Sequence, residues 1–300
     1  MESINSKRET KINLDFIGIG APRSGTTWLF KFLAEHPEVC GASEKETYFF
    51  DAKERYQKGL DFYKSFFSHC EGNKLKGEFT ATYLANPKTP KRIKKHFPEI
   101  KLIVCLRDPA ERAYSYYCYD RSRRRFDFSD FEEALNSYPA YIEEGFYYKH
   151  LKRYLKFFDK KNILILIYND IERDSLGVIQ KVYKFLNIDD NFIPKSCQKK
   201  VNTRTKSAFK IPFLTLTLAE KITLFLKRFW VGKKIIDFLK IFRINKFVNF
   251  IIKKNKTPSK INSQIDSMKP FTKSYLKSLY IEDIKRLEKL IKRDLSSWYD

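Results

Sequence analysis

In the stretch FIGIGAPRSGTTWLFKFL, residues 16–33, an apolar run ends in glycine, a short polar loop follows, and apolar residues return at helical spacing. The run itself, INLDFIGIG from residue 12, has the length and composition of a buried strand. Trp28, Leu29, Phe32 and Leu33 then fall on one face of a helix that stops before Pro37. Between the two, Gly20-Ala-Pro-Arg-Ser-Gly25 satisfies G-x-x-x-x-G, the spacing of a loop that cradles phosphate between strand and helix. The lysine expected next is Thr26, and Arg23 sits inside the loop instead.

A loop so placed aims backbone N–H groups at whatever lies above the helix N-terminus, where the helix dipole adds partial positive charge. Gly20 and Gly25 permit a tight turn and a close approach. Ser24, Thr26 and Thr27 add hydroxyls, and Arg23 adds a fixed positive charge with several donors. In nucleoside-triphosphate enzymes the missing lysine grips the β and γ phosphates, and the next hydroxyl holds magnesium. Asp108 follows an arginine and precedes a proline, a poor context for a metal ligand. The loop therefore suits a shorter anion held without a metal. The plain alternative is a glycine-rich turn with no ligand.

Further along, KLIVCLRDP from residue 101 and NILILIYND from residue 162 read as buried strands. ERAYSYYCYDR after the first and GVIQKVYKFLNI after the second read as helices. Strands alternating with helices imply an α/β fold, a central parallel β-sheet flanked by helices, with four or five strands. Ligands then belong at the carboxyl ends of the strands, where Gly20 and Arg107 both fall.

The 300 residues, 43% hydrophobic, suit one large α/β domain or two small ones, and the 27 Phe, 18 Tyr and 3 Trp argue against disorder. We expect a single domain over residues 1–300, with a flexible stretch at 1–12. Lys plus Arg exceed Asp plus Glu by 59 to 36, a net charge of +23, which favours acidic partners or, more plainly, a solvated lysine-rich surface. Within 205–262 lies a basic amphipathic helical segment; residues 220–260 alone hold twelve Lys or Arg against two acids. That segment either packs on the sheet or meets a membrane or acidic polymer peripherally. The tail, from FTKSYLKS onward, reads as a long amphipathic helix anchored by Trp298. Cys40, Cys70, Cys105, Cys118 and Cys197 are widely spaced without a C-x-x-C pair, so no zinc site is suggested and a reducing cytoplasm is the simplest compartment. The N-terminus has no apolar segment of a signal peptide, and no run of 18 apolar residues occurs.

GAPRSGTTWL resembles the 5′-phosphosulfate loop of sulfotransferases that use 3′-phosphoadenosine 5′-phosphosulfate (PAPS), in which Lys or Arg precedes Ser-Gly-Thr-Thr, often with Trp next. LIVCLRDPAERAYSYY resembles their second motif, a strand-end arginine followed eight residues later by serine, which together clamp the 3′-phosphate; Arg107 and Ser115 match. EKETYFFD resembles the acidic segment of the carbohydrate, heparan sulfate-type branch, whose second glutamate is the base; Glu46 holds that place. The likeness runs over residues 14–188, and the ending IKRDLSSWYD is similar to bacterial members.

The resemblance implies PAPS as co-substrate with no metal, and a fold of the sulfotransferase and P-loop type. It implies Arg23, Ser24, Gly25, Thr26, Thr27, Trp28, Arg107 and Ser115 as nucleotide-binding residues, with Arg23 and Glu46 catalytic. The acceptor is expected to be a hydroxyl or amine of a glycan or glycolipid; nucleic acid is not expected as a partner. Sulfuryl transfer asks the protein to position both reactants and stabilise charge on the leaving phosphate, which suits Arg23. A carboxylate base on the acceptor is worth roughly 100- to 10,000-fold, and Glu44 stands next to Glu46 as second candidate. Trp28 either walls the adenine or packs in the core, Arg107 either binds phosphate or pairs with Asp108 or Glu111, and Ser115 is otherwise a surface serine. Glu46 is otherwise part of a solvated charge run. His36, at the far end of the first helix, reads as structural. Phe79 stands where the heparan-type enzymes often carry Lys, and Tyr48 where some carry His, so this chain departs from the pattern on the acceptor side. Arg204 in KKVNTRTKSAF is the candidate for a loop closing over the 3′-phosphate. Rival readings are a nucleotide kinase with a degenerate phosphate loop, and a basic polyanion- or membrane-binding module.

Overall fold

The computed structural model describes residues 13–198 and 268–300, which fall in one compact unit, Met1–Val201 with Asp266–Asp300. Five strands, β1 (Phe16–Gly20), β2 (Val39–Gly41), β3 (Leu75–Phe79), β4 (Lys101–Leu106) and β5 (Ile163–Ile167), form one sheet in the order β2-β3-β1-β4-β5. Every pairing is parallel. The three strands with continuous apolar runs, β1, β4 and β5, lie where the sequence reading puts them.

The parallel sheet is buried on both faces, and its strands alternate between two cores. Ile17, Ile19, Leu102, Val104 and Leu106 point into one core. It includes Ala113 and Tyr117 of the helix Pro109–Ser122 and Leu276, Tyr280 and Ile284 of the helix Pro270–Ile291. Phe16, Ile103 and Cys105 point into the other, against Leu29 and Leu33 of the helix Thr26–Glu35 and Val178 and Val182 of the helix Ser175–Leu186. In chain order these helices are α1 (Thr26–Glu35), α2 (Pro109–Ser122), α3 (Ser175–Leu186) and α4 (Pro270–Ile291). α4 buries Leu276, Tyr280, Ile284 and Leu287, one per turn, and Trp298 beyond it is buried as the tail anchor.

β2 and β3 were not legible from periodicity, because one is three residues long and the other, LKGEF, carries a glutamate and a glycine. Gly77 in β3 is explained only by packing, since a Cβ there would lie 2.2 Å from the Phe16 ring. The chain leaves β1 toward β2 and β3 on one side, and later takes up β4 and β5 on the other. The order therefore switches direction between β1 and β4, the crevice where doubly wound sheets bind ligands. Among the described residues no helix is long and apolar enough to cross a membrane. The segment 205–262 and Arg204 lie outside the described residues.

The cysteine reading meets one difference. Cys40 of β2 and Cys70 form a disulfide, where a reducing compartment predicts thiols. Their separation of 30 residues hides the pairing; only the path of the chain from β2 to β3 brings them together.

Candidate active site

The loop after β1 is shaped by backbone conformations that favour glycine. Gly25 has φ +89° and is the N-cap of α1. Gly20 has φ +152°, and a Cβ there would lie 2.8 Å from the Ala81 carbonyl oxygen. Arg23 itself adopts φ +65°, uncommon for a residue with a side chain. The first-turn amides of α1 lack intrahelical acceptors. Among the described residues no capping side chain takes them up, and that turn holds no acidic residue. α2 and α3, by contrast, are capped by Asp108, which accepts from the Ala110 and Glu111 amides, and by Asp174, which accepts from Gly177. The Ser24 hydroxyl is buried with no partner among the described residues. An open helix end with an unpartnered buried hydroxyl beside it is fitted for an anion.

Arg107 follows the last residue of β4, and Ser115 lies two turns into α2. Arg23 Nε donates to the Ser115 hydroxyl at 3.3 Å, which joins the loop after β1 physically to the helix after β4. The Arg107 guanidinium lies over the Tyr168 ring at 4.9 Å, and its only ion pair among the described residues, with Glu111, is at the 4.0 Å limit. Lys273 competes for that glutamate at 3.2 Å. The packed portion of Arg23 and the nearby charge of Arg107 both hold its pKa below the ordinary value. The two guanidiniums repel each other, and together they make this end of the sheet electropositive. Trp28 packs at 4.3 Å against Phe32, beside the α1–α3 core, with its Nε1 buried and without a partner among the described residues.

Glu46 and Tyr48 also have positive φ, +69° and +51°, so three residues of the candidate site share a conformation that costs energy outside glycine. Glu46 Oε2 accepts the Ala81 amide at 3.0 Å, and Lys45 pairs with its other oxygen. Ala81 thus stands between the Glu46 carboxylate on one side and Gly20 of the loop on the other. Glu46 is therefore no free solvated charge. Glu44, more than half exposed, reaches only Arg55 among the described residues, at 3.7 Å. Tyr48 is partly exposed, and burial of the rest with the Glu46 charge beside it raises its pKa, which keeps it a neutral phenol.

Beneath this loop lies a residue the motif reading passed over. Glu78 of β3 is fully buried, and its carboxylate accepts hydroxyls from Thr47 (2.8 Å), Thr80 (2.7 Å), Tyr63 (2.9 Å) and Tyr83 (2.9 Å). Three of those hydroxyls accept backbone amides in turn: Thr80 from Tyr48 (3.4 Å), Thr47 from Phe49 (3.4 Å) and Tyr83 from Phe50 (3.2 Å). One buried carboxylate thus holds the backbone immediately after Glu46. Burial raises its pKa, and the four hydroxyl donors pull the other way.

A second unforeseen group lines the end of α2. The Tyr119 ring is approached by Arg23 at 4.6 Å, Arg123 at 5.3 Å and Arg125 at 5.6 Å. Arg125 pairs with buried Asp120 at 3.3 Å and lies close enough to Tyr48 to oppose the rise in its pKa. RSRRR reads as a charge run in sequence; the tertiary structure sets part of it between the loop arginine and Tyr48. His36 is structural, as expected: its Nε2 faces the Asp189 carbonyl at 2.9 Å and its Nδ1 accepts the Glu38 amide at 3.2 Å.

A parallel α/β sheet with an uncapped strand–loop–helix at its switch point, flanked by two arginines, defines an anion-binding fold of the phosphate-loop type. Residues 14–256 match the sulfotransferase domain, and the chain belongs to that family of enzymes. It is 31% identical over 194 residues to the human bifunctional heparan sulfate N-deacetylase/N-sulfotransferase 3, covering 58% of this chain and 22% of that protein. It is 31% identical over 182 residues to the mouse heparan sulfate glucosamine 3-O-sulfotransferase 5, covering 57% of this chain and 52% of that one. The chain thus spans about half or less of these relatives' lengths. The crystal structure of a sulfotransferase from Alicyclobacillus acidocaldarius superposes with a TM-score of 0.67 at 21% identity, covering 96% of this chain and all of that one, and shares the fold.

Proposed function

We propose that this enzyme transfers a sulfuryl group from PAPS to a hydroxyl or amine of a carbohydrate or glycolipid acceptor that carries negative charge. The observation that carries the proposal is the joined pair of motifs, Arg23 bonded to Ser115 beside Arg107 over an uncapped helix end. The amides of α1 and the Ser24, Thr26 and Thr27 hydroxyls would hold the 5′-phosphosulfate, and Arg107 with Ser115 the 3′-phosphate. No metal ligand is assigned to the reaction. Arg23 would neutralise charge on the departing phosphate. The acceptor oxygen or nitrogen attacks sulfur, the bond from sulfur to the 5′-phosphate oxygen breaks, 3′-phosphoadenosine 5′-phosphate (PAP) leaves, and the acceptor proton passes to Glu46. Arg123 and Arg125, exposed near Tyr48, would draw an anionic acceptor toward that carboxylate.

Sulfate transfer from PAPS onto a panel of neutral and acidic glycans and glycolipids, read by mass spectrometry, tests this. Transfer that prefers the acidic members and collapses in Glu46→Gln supports it; transfer undiminished in that variant removes Glu46 as base. Stabilisation by ATP with magnesium but not by PAP would favour the kinase reading.

A further inference from the structure

We propose that Cys40, His69 and Cys70, once the disulfide is reduced, form a binding site for zinc or a similar thiolate-seeking divalent ion. Cys40 lies in the edge strand β2, and His69-Cys70 follow the helix Gly59–Ser65. The His69 Nε2 lies 3.5 Å from Cys40 Sγ and 3.9 Å from Cys70 Sγ, and the three ligand atoms all fall within 4.8 Å of one another. A tetrahedral zinc with bonds of about 2.3 Å to sulfur and about 2.0–2.1 Å to imidazole nitrogen has sulfur–nitrogen edges of about 3.5–3.6 Å. The imidazole thus already stands near the required distance from both sulfurs. Only the sulfur–sulfur edge must open, to about 3.8 Å, and breaking the disulfide permits that.

The backbone on both sides is tied down. Cys40 pairs with Lys76 in the sheet, the Ser43 amide donates to the Phe66 carbonyl at 2.8 Å, and the Cys70 amide donates to the Phe67 carbonyl at 3.0 Å. The side chains can part by rotation without the strand moving. His69 is exposed and both cysteines are half-buried, so an ion and a reductant can reach them.

The chemistry balances. Two equivalents of a small-molecule thiol supply two electrons and two protons, converting the protein disulfide to two cysteine thiols and leaving one small-molecule disulfide. The dication then displaces both thiol protons to solvent. Two thiolates and one neutral imidazole offset its charge, and water fills the fourth position. Spacings of 29 and 30 residues conceal this donor set from a search for C-x-x-C. Five residues separate Cys40 from Glu46, so either cross-link, disulfide or metal, anchors the segment leading to the candidate base. The site does not depend on the sulfuryl-transfer reading.

The test uses the full chain, reduced with a phosphine that does not bind metal and titrated with cobalt(II). The expected result is one ion per chain with a thiolate-to-cobalt charge-transfer band, displaced by zinc. The oxidised chain should show neither. Cys40→Ser should abolish the band, and His69→Ala, which keeps the disulfide and the fold, should weaken binding at least about 10- to 100-fold. Cys105→Ser should leave it intact. A reduced chain that binds no cobalt, a band that survives in Cys40→Ser or binding unchanged in His69→Ala would overturn the proposal. So would a disulfide that the native protein never yields to thiols.

Discussion

Glu78→Leu is the perturbation that separates scaffold from chemistry most sharply. Leucine is of similar size but accepts no hydrogen bond, so the hydroxyls of Thr47, Tyr63, Thr80 and Tyr83 lose their shared acceptor. A buried donor left unpaired costs about 1–3 kcal/mol. The Thr47 and Tyr83 hydroxyls lie 3.0 Å apart and can partly satisfy each other. A further offset comes from the carboxylate itself. Its pKa is raised by burial, so the native state holds the proton more tightly than the unfolded chain. The ionised group therefore subtracts stability at neutral pH, a loss relieved as pH falls through its folded pKa. Two donors' worth of loss less that offset leaves a net destabilisation of about 3 kcal/mol, a fall in melting temperature of about 6–12 °C. The hydroxyls that accept the Tyr48, Phe49 and Phe50 amides lose the group that fixes them, so kcat should fall roughly 10- to 100-fold, while PAP affinity stays within about threefold because the Gly20–Gly25 loop is untouched. Thermal unfolding, steady-state kinetics and calorimetric PAP binding measure the three. A variant melting within about 2 °C of the parent with undiminished kcat would refute the relay from Glu78 to the Glu46 loop.

Glu46→Gln should lower kcat about 100- to 10,000-fold while melting close to the parent, measured by sulfate transfer and thermal unfolding. Arg107→Ala should weaken PAP about 10- to 150-fold, the worth of charge-assisted hydrogen bonds, and Ser115→Ala, which releases Arg23, about 2- to 10-fold; calorimetry distinguishes them. Arg123→Ala with Arg125→Ala should raise KM for an acidic acceptor roughly 3- to 10-fold, as expected for exposed charges, and flatten its salt dependence without altering PAP binding. His150 is buried, and burial pulls its pKa down to about 4 from 6.5. Its Nε2–H donates to the Glu143 carbonyl and its Nδ1 accepts from Arg153, a neutral arrangement. Stability is therefore full above pH 6.5 and lost toward pH 4 as the unfolded chain takes up the proton, by at most about 3 kcal/mol. A melting-temperature profile that is flatter in His150→Gln checks it.

The loop after β1 and the strand-end arginine of the candidate site were legible because their signals are local. A glycine-punctuated loop between an apolar strand and a 3.6-period helix occupies one short stretch, and Arg107 with Ser115 occupies another. Both stretches end strands that a parallel sheet must align. The amino-acid order alone thus determined the α/β class, three of the five strands, the open helix end and the residues around it. It could not show which carboxylate is held and how. The Glu46 carboxylate owes its position to the Ala81 amide 35 residues away, and the Glu46 loop to a glutamate in a strand too short and too mixed to have a period. Nor could it tell Arg123 and Arg125 from a solvated run, or bring Cys40 to His69 and Cys70. Hydrogen bonds and ligand sets made across about 30 residues leave no pattern along the chain. Only the strand order, which lays β3 beside β1 and β2 beyond it, decides which side chains meet.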